Sequence, residues 1–268
     1  MKKSFILLSS GLILLLAINS CVHDQVKVEG SLKTWHKVTL SINGPEVSET
    51  STPNPFLTYR LNVTFQKGDK KYVVPGYFAA DGNAAETRAS SGSVWKAHFS
   101  PPEAGTWEYS VSFRQGEEVA ISMKDEAGEP FGPDGLEGSF EVEPSSNDAP
   151  GFLSKGKLGY VGKHHLQFAG SKEYFLKGGA DSPENFLAYN GFDGTYYGGD
   201  SEQRSGESAP NEGLHSYKPH IDDWKEGDPT WQNGKGKGII GALNYLSSKG
   251  MNSVYFLTMN IRRIIAME

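Results

Sequence analysis

Between residue 33 and about residue 143 the chain alternates apolar and polar positions with period two. Val38, Leu40 and Ile42 form one set; Leu57, Tyr59, Leu61, Val63 and Phe65 a second; Trp107, Tyr109, Val111 and Phe113 a third. Successive strand side chains point to opposite faces, so each set predicts a strand with one face turned inward. Shorter runs at 72–74, 94–99 and 140–142 bring the expected count to about six or seven. Between them lie Asn43-Gly44-Pro45, Lys67-Gly68-Asp69, Asp81-Gly82-Asn83 and Pro101-Pro102-Glu103-Ala104-Gly105, whose Gly and Pro supply turn angles. Evenly spaced strands without a long helical stretch predict an immunoglobulin-like β-sandwich over residues 33–143.

Residues 144–151 have no apolar face to bury and are rich in breakers, so they read as a linker. A different pattern follows. Residues 158–161 and 165–169 flank Gly162-Lys163 as a hairpin, and 174–176 make a short strand. Residues 238–249 carry Ile239, Ile240, Leu243 and Leu246 at helical spacing, and Gly250 supplies the stop. The run 253–259 is nearly continuously apolar, as a parallel strand covered on both faces would be. Strand, helix and buried strand together predict the opening of a (β/α)8 barrel over 152–268. Such a barrel takes about 250 residues, and 118 remain from Gly151 to Glu268. The expectation is a truncated barrel that ends after its second strand, its tail Arg262-Arg263-Ile264-Ile265-Ala266-Met267-Glu268 lacking a cap. The fold class is therefore multidomain, β plus α/β: a sandwich followed by the first part of a barrel.

The N-terminus changes the setting. Lys2 and Lys3 precede an apolar run from Phe5 to Ile18, the layout of a secretion signal, and the run is too short to span a bilayer. It ends in Ile18-Asn19-Ser20-Cys21, which resembles a lipobox, so residues 1–20 are expected to be removed and Cys21 acylated, with 21–32 as a tether. An ordinary secretory signal is the alternative. Cys21 is the single cysteine, so no disulfide forms within the chain. The expected location is the cell envelope, lipid-anchored at the outer-membrane surface. Net charge is −6, and loss of Lys2 and Lys3 with the signal gives −8. That sign excludes a basic footprint for nucleic acid or anionic headgroups, leaving the lipid as the membrane contact.

About 60 residues between Leu176 and Gly238 show little regular pattern, and loops of that length are usually functional or disordered. This one is rich in aromatics, with Phe186, Tyr189, Phe192, Tyr196, Tyr197, Tyr217, Trp224 and Trp231 interleaved with Glu184, Asp193, Asp222, Asp223 and Asp228. Rings beside carboxylates suit a sugar, whose C–H face stacks while its hydroxyls donate to acids. The competing reading is that the rings simply pack the loop. Trp224 and Trp231, each beside an Asp-containing turn, are the stronger individual candidates for a polysaccharide or oligosaccharide partner.

Phe99-Ser100-Pro101-Pro102 leading into Gly105-Thr106-Trp107-Glu108-Tyr109, then Phe175-Leu176-Lys177-Gly178-Gly179-Ala180-Asp181-Ser182-Pro183-Glu184-Asn185-Phe186, then Gly241-Ala242-Leu243-Asn244-Tyr245-Leu246, resemble the domain-of-unknown-function 5060 family. In that family an immunoglobulin-like domain precedes a glycoside-hydrolase-like barrel, often in surface lipoproteins of the gut Bacteroides type. The resemblance implies polysaccharide processing at the cell surface. In related glycosidases the two catalytic carboxylates end later strands, typically the fourth and seventh, and hydrolysis needs both. No catalytic residue is therefore assigned to this chain. Asp181, Glu184 and Asn185 carry over as substrate-face or loop-ordering residues, with Asn260 at the end of the second strand. The rival readings are a binding module that holds glycan without cleaving it, and a sandwich that only braces the barrel.

Other signals are set aside. Gly236-Lys237-Gly238-Ile239-Ile240-Gly241 matches a dinucleotide fingerprint but follows a turn-rich loop, not a strand. His164-His165 lacks partners at ligand spacing, and Asp222-Asp223 lacks an EF-hand loop, so neither metal nor cofactor is expected. Asn62-Val63-Thr64 matches a glycosylation acceptor but lies inside a predicted strand.

Overall fold

The computed structural model describes residues 25–179, 186–193 and 214–256. The contacts divide the chain into two units, with the break between Tyr174 and Phe175.

The first unit is a β-sandwich. One sheet runs β1–β2–β6–β5, built from Val26–Gly30, Val38–Ser48, Ser91–Phe99 and Tyr77–Phe78. The other runs β4–β3–β7–β8, from Lys70–Pro75, Tyr59–Lys67, Gly105–Gln115 and Glu129–Pro130, with β9 (Glu137–Val142) also paired to β7. The predicted inward faces meet between the sheets: Val38, Leu40, Ile42, Val63, Phe65, Trp107 and Phe113 are buried completely or nearly so. Phe65 stacks on Phe99 at 4.3 Å, and Trp95 meets Phe113 edge-on at 5.1 Å. The Trp107 indole N–H, which has no water to bind, donates to the Glu103 carbonyl at 2.9 Å.

Four details differ from the periodicity. The tether contains a strand, since Val26–Gly30 pairs antiparallel with β2 and buries Val26; two alternating valines are too short a pattern to announce it. Leu57 is exposed and lies in a four-residue helix, α1 (Pro55–Thr58), because Asn54 accepts the Phe56 N–H at 2.9 Å and Pro55 presets the first turn. The run at 72–74 is an edge strand whose Val73 points to solvent, flanked by Lys70, Lys71 and Pro75, residues that blunt an open edge. The expected linker begins tied to the sandwich: Glu143 bridges Lys33, and Ser145 N–H donates to Thr34 Oγ1 at 2.8 Å.

After it, β10 (Leu158–Gly159) and β11 (Leu166–Phe168) form the predicted hairpin, and β12 (Tyr174–Phe175) adds beside β11. The strand expected to open a barrel thus completes a small three-stranded sheet. In the second unit the predicted helix is present as α3 (Lys237–Ser248), the four-residue α2 (Ala84–Thr87) belonging to the first. It ends as expected: Gly250, at φ +83°, donates to Ser247, and Met251 donates to Leu246. The apolar strand over 253–259 does not form within its described part, 253–256. Asn252 and Ser253 both donate to the Gly178 carbonyl, at 2.8 and 3.3 Å. A parallel strand needs a ladder on both sides, and one carbonyl supplies none. No ring of parallel strands is seen among the described residues.

Candidate functional site in the second unit

The two described ends of the long loop are stitched together. His215 N–H donates to the Ala188 carbonyl at 2.7 Å, and Asn190 N–H to the His215 carbonyl at 3.0 Å. Around that bridge Phe186, Tyr189 and Ile239 are buried, with Phe192, Tyr217, Trp231 and Ile240 packed against them. Tyr217 donates its hydroxyl to the Phe186 carbonyl at 2.7 Å, and burial pushes its pKa up to about 12.

Trp231 belongs to this cluster. Its ring lies parallel to Phe192 at 5.4 Å, and its N–H donates to the Gly191 carbonyl at 3.0 Å. Gly236, at φ +95°, sits against the ring, where a Cβ would come within 2.2 Å. Trp224 stands elsewhere, with the Lys237 ammonium 4.2 Å over its ring and its own N–H 3.4 Å from the Pro229 carbonyl. The structure therefore does not bring the two tryptophans into one platform; it uses Trp231 to close the loop. Asp181, Glu184, Asn185, Asn260 and Cys21 lie outside the described residues.

The glycine-rich segment has a packing role. Cβ atoms at Gly238 and Gly241 would lie 2.5 Å from the Ser216 carbonyl and 1.8 Å from the His220 carbonyl. The bare face of α3 thus lets the 3-10 turn Lys218–Asp223 lie directly on the helix.

Several polar anchors escaped the sequence reading. Asn244 donates to the Asp223 carbonyl at 2.9 Å and to the Asp228 carboxylate at 2.7 Å. The Lys225 N–H and this amide hold the Asp228 pKa below its ordinary value. His220 Nδ1 meets Asp223 at 3.0 Å, and its ring lies 4.7 Å from Tyr245. Asn252 acts as a strand in miniature: it donates to the Leu176 carbonyl at 2.9 Å and accepts the Gly178 N–H at 2.8 Å. That clamp fixes the chain just before Asp181. Asn252 follows the Gly250 stop by two residues, which was the one signal of a residue placed to act on backbone. Among the described residues no three His, Cys, Asp or Glu stand together as a metal set, and no helix is long and apolar enough to cross a membrane.

Comparison with known proteins locates the first unit. Residues 31–114 match a domain of unknown function, DUF5060. No curated protein matches the chain. A solved structure from Bacteroides vulgatus ATCC 8482, provisionally named a glycoside hydrolase, is 21% identical with a TM-score of 0.39; the match covers 57% of this chain and 23% of that one. The chain thus spans about a quarter of that protein's length. The DUF5060 match runs through the sheets' central strands, β2, β3, β6 and β7, so what the chain shares with that domain lies in its sandwich.

Proposed function

We propose that the protein is a lipid-anchored surface protein of polysaccharide binding and degradation, in which the DUF5060 sandwich carries the first part of a glycoside-hydrolase-like barrel. The observation that carries this reading is the DUF5060 match on a well-packed sandwich, followed in the same chain by the Phe175–Phe186 motif and its aromatic loop. The signal layout and Cys21 support placement at the outer-membrane surface. The residues assigned to the glycan are Asp181, Glu184 and Asn185, which follow in sequence the segment clamped by Asn252, together with Trp224, Trp231 and Asn260.

Affinity electrophoresis of the purified protein through gels containing xylan, arabinan, pectin or laminarin tests this. Retardation in at least one gel is expected, reduced about tenfold in apparent affinity by Asp181→Asn with Glu184→Gln. Migration unaffected by all four polymers would remove the glycan reading.

A further inference from the structure

The sandwich has a concavity of its own, distant in sequence from the aromatic loop. On the outward face of the β1–β2–β6–β5 sheet the register sets Glu29, Thr39 and His98 in one row, and Lys27, Ser41, Lys96 and Tyr77 in the next. The 79–85 segment rises beside them, and its Ala79, Ala80, Ala84 and Ala85 form a low apolar wall around a groove of about 390 Å³. That volume lies in the range of small-ligand sites.

Three features make the groove more than the ordinary polar outside of a sheet. Tyr77, on a strand of two residues, leaves 46% of its surface open, and its hydroxyl is held by His98 Nε2 at 3.0 Å. His98 Nδ1 meets the Thr39 hydroxyl at 3.0 Å, so imidazole and two hydroxyls form a continuous chain. A neutral imidazole donates from one nitrogen and accepts at the other, so whichever tautomer is present, one hydroxyl accepts from the ring and keeps its own proton to offer outward. Burial, with Lys37 and Lys96 nearby, lowers the His98 pKa and favours that neutral form. The charges also balance: Lys37 and Lys96 share the lining with Glu29 and Glu49. Glu29 is engaged by Lys27 at 2.6 Å and Ser41 at 3.0 Å, and Lys96 donates to the Gly82 carbonyl at 2.5 Å. A net-neutral lining selects against free anions and cations alike, and favours a ligand with many hydroxyls and an apolar face.

We infer that this groove is a binding site for a neutral oligosaccharide, with Tyr77 as the stacking ring and the Thr39–His98–Tyr77 chain, Lys96 and Glu29 as hydrogen-bonding partners. The ligand class rests on the function proposed above, but none of the residues is shared with it.

Isothermal titration calorimetry of the purified protein with cellohexaose, xylohexaose, mannohexaose and laminarihexaose tests the site. At least one is expected to bind, about tenfold or more weakly in Tyr77→Ala and within about fivefold of wild type in Tyr77→Phe, which keeps the ring. Tyr77→Leu, which keeps bulk without a flat face, decides the matter if Tyr77→Ala melts early. Equal affinity of wild type and the ring-less variants overturns the inference, as does failure of all four hexaoses to bind. Asp181→Asn with Glu184→Gln separates the two sites: loss there alone leaves the proposed function standing and removes the groove, whereas loss in Tyr77→Ala alone does the reverse.

Discussion

Arg60 shows how a single side chain can order a segment that has no regular structure. Its two terminal nitrogens donate to four carbonyls, those of Ser122, Lys124, Asp125 and Ala127, at 3.0, 2.9, 2.7 and 3.4 Å. Its Nε is buried without a partner, so the gain comes wholly from the fork. Arg60→Lys keeps the charge and loses the fork. We expect it to cost about 1–3 kcal/mol in urea unfolding and to make 122–127 the first segment cut in limited proteolysis; a wild-type digestion pattern would show the fork to be idle. His98 yields a pH prediction of definite sign. Its pKa is lowered by burial and by Lys37 and Lys96, so the unfolded chain takes up the proton first. Its contribution to stability is full above the ordinary value near 6.5 and is lost as pH falls through the folded-state value. The lowered carboxyls of Glu29 and Glu103 act only further into acid, where Lys27 and Lys70 respectively hold them ionised. Thermal melts between about pH 7 and pH 5 should therefore slope less in His98→Gln than in wild type. Equal slopes would mean that the imidazole protonates as readily folded as unfolded.

At the level of elements, legibility followed how far local pattern decides burial. In the sandwich it decides nearly everything: a strand with one wet face must alternate, so Val38, Leu40 and Ile42 announced β2, and Trp107 and Phe113 announced β7. The exceptions are short or capped pieces, such as Val26–Gly30 and the Asn54-capped turn, where two or three residues carry too little periodicity. In the second unit α3 was legible from spacing, but only part of its buried face was. Of Ile239, Ile240, Leu243 and Leu246 the structure buries Ile239 and leaves Leu243 36% exposed, and the rest of the buried face is Gly238, Gly241 and Ala242. A glycine face carries no hydrophobic signal, because what it contributes is close approach. The aromatic loop was not legible for a related reason: composition does not distinguish a ring that stacks on sugar from one that packs a loop, and in the loop Trp231 lies parallel to Phe192. Gly241→Ala places a methyl where the His220 carbonyl stands, and should cost about 2–3 kcal/mol and loosen the 218–223 turn in hydrogen exchange. Gly250→Ala meets no atoms but strains a residue at φ +83°, and should cost only about 1 kcal/mol. Costs in the opposite order would mean that helix stop, not close packing, holds this unit.

For the whole molecule the governing quantities are net charge and the proposed anchor. Without residues 1–20 the chain carries −8, and its acidic balance gives no polybasic patch to supplement a lipid. Membrane retention by acyl chains grows by about 0.8 kcal/mol per buried methylene, and one chain alone gives only marginal binding. On the acylation proposed above, the negative net charge adds no general attraction to anionic headgroups, so stable anchoring would call for more than one acyl chain on Cys21. Two consequences follow for cells expressing the chain with its own signal. High salt should not strip the wild type from membranes if the proposed lipid, and not ion pairing with headgroups, holds it there. Cys21→Ser, which removes the only thiol, should abolish labelling by radioactive palmitate and leave residues 1–20 attached, since a lipobox is cut at its acylated cysteine. The folded sandwich should be unchanged by that substitution, since its described core begins at Val26, so glycan retardation of the detergent-solubilised protein should equal that of the wild type. Palmitate labelling of Cys21→Ser equal to that of the wild type would instead place the lipid at another residue, and the lipobox reading would fall while the sandwich and its groove remained.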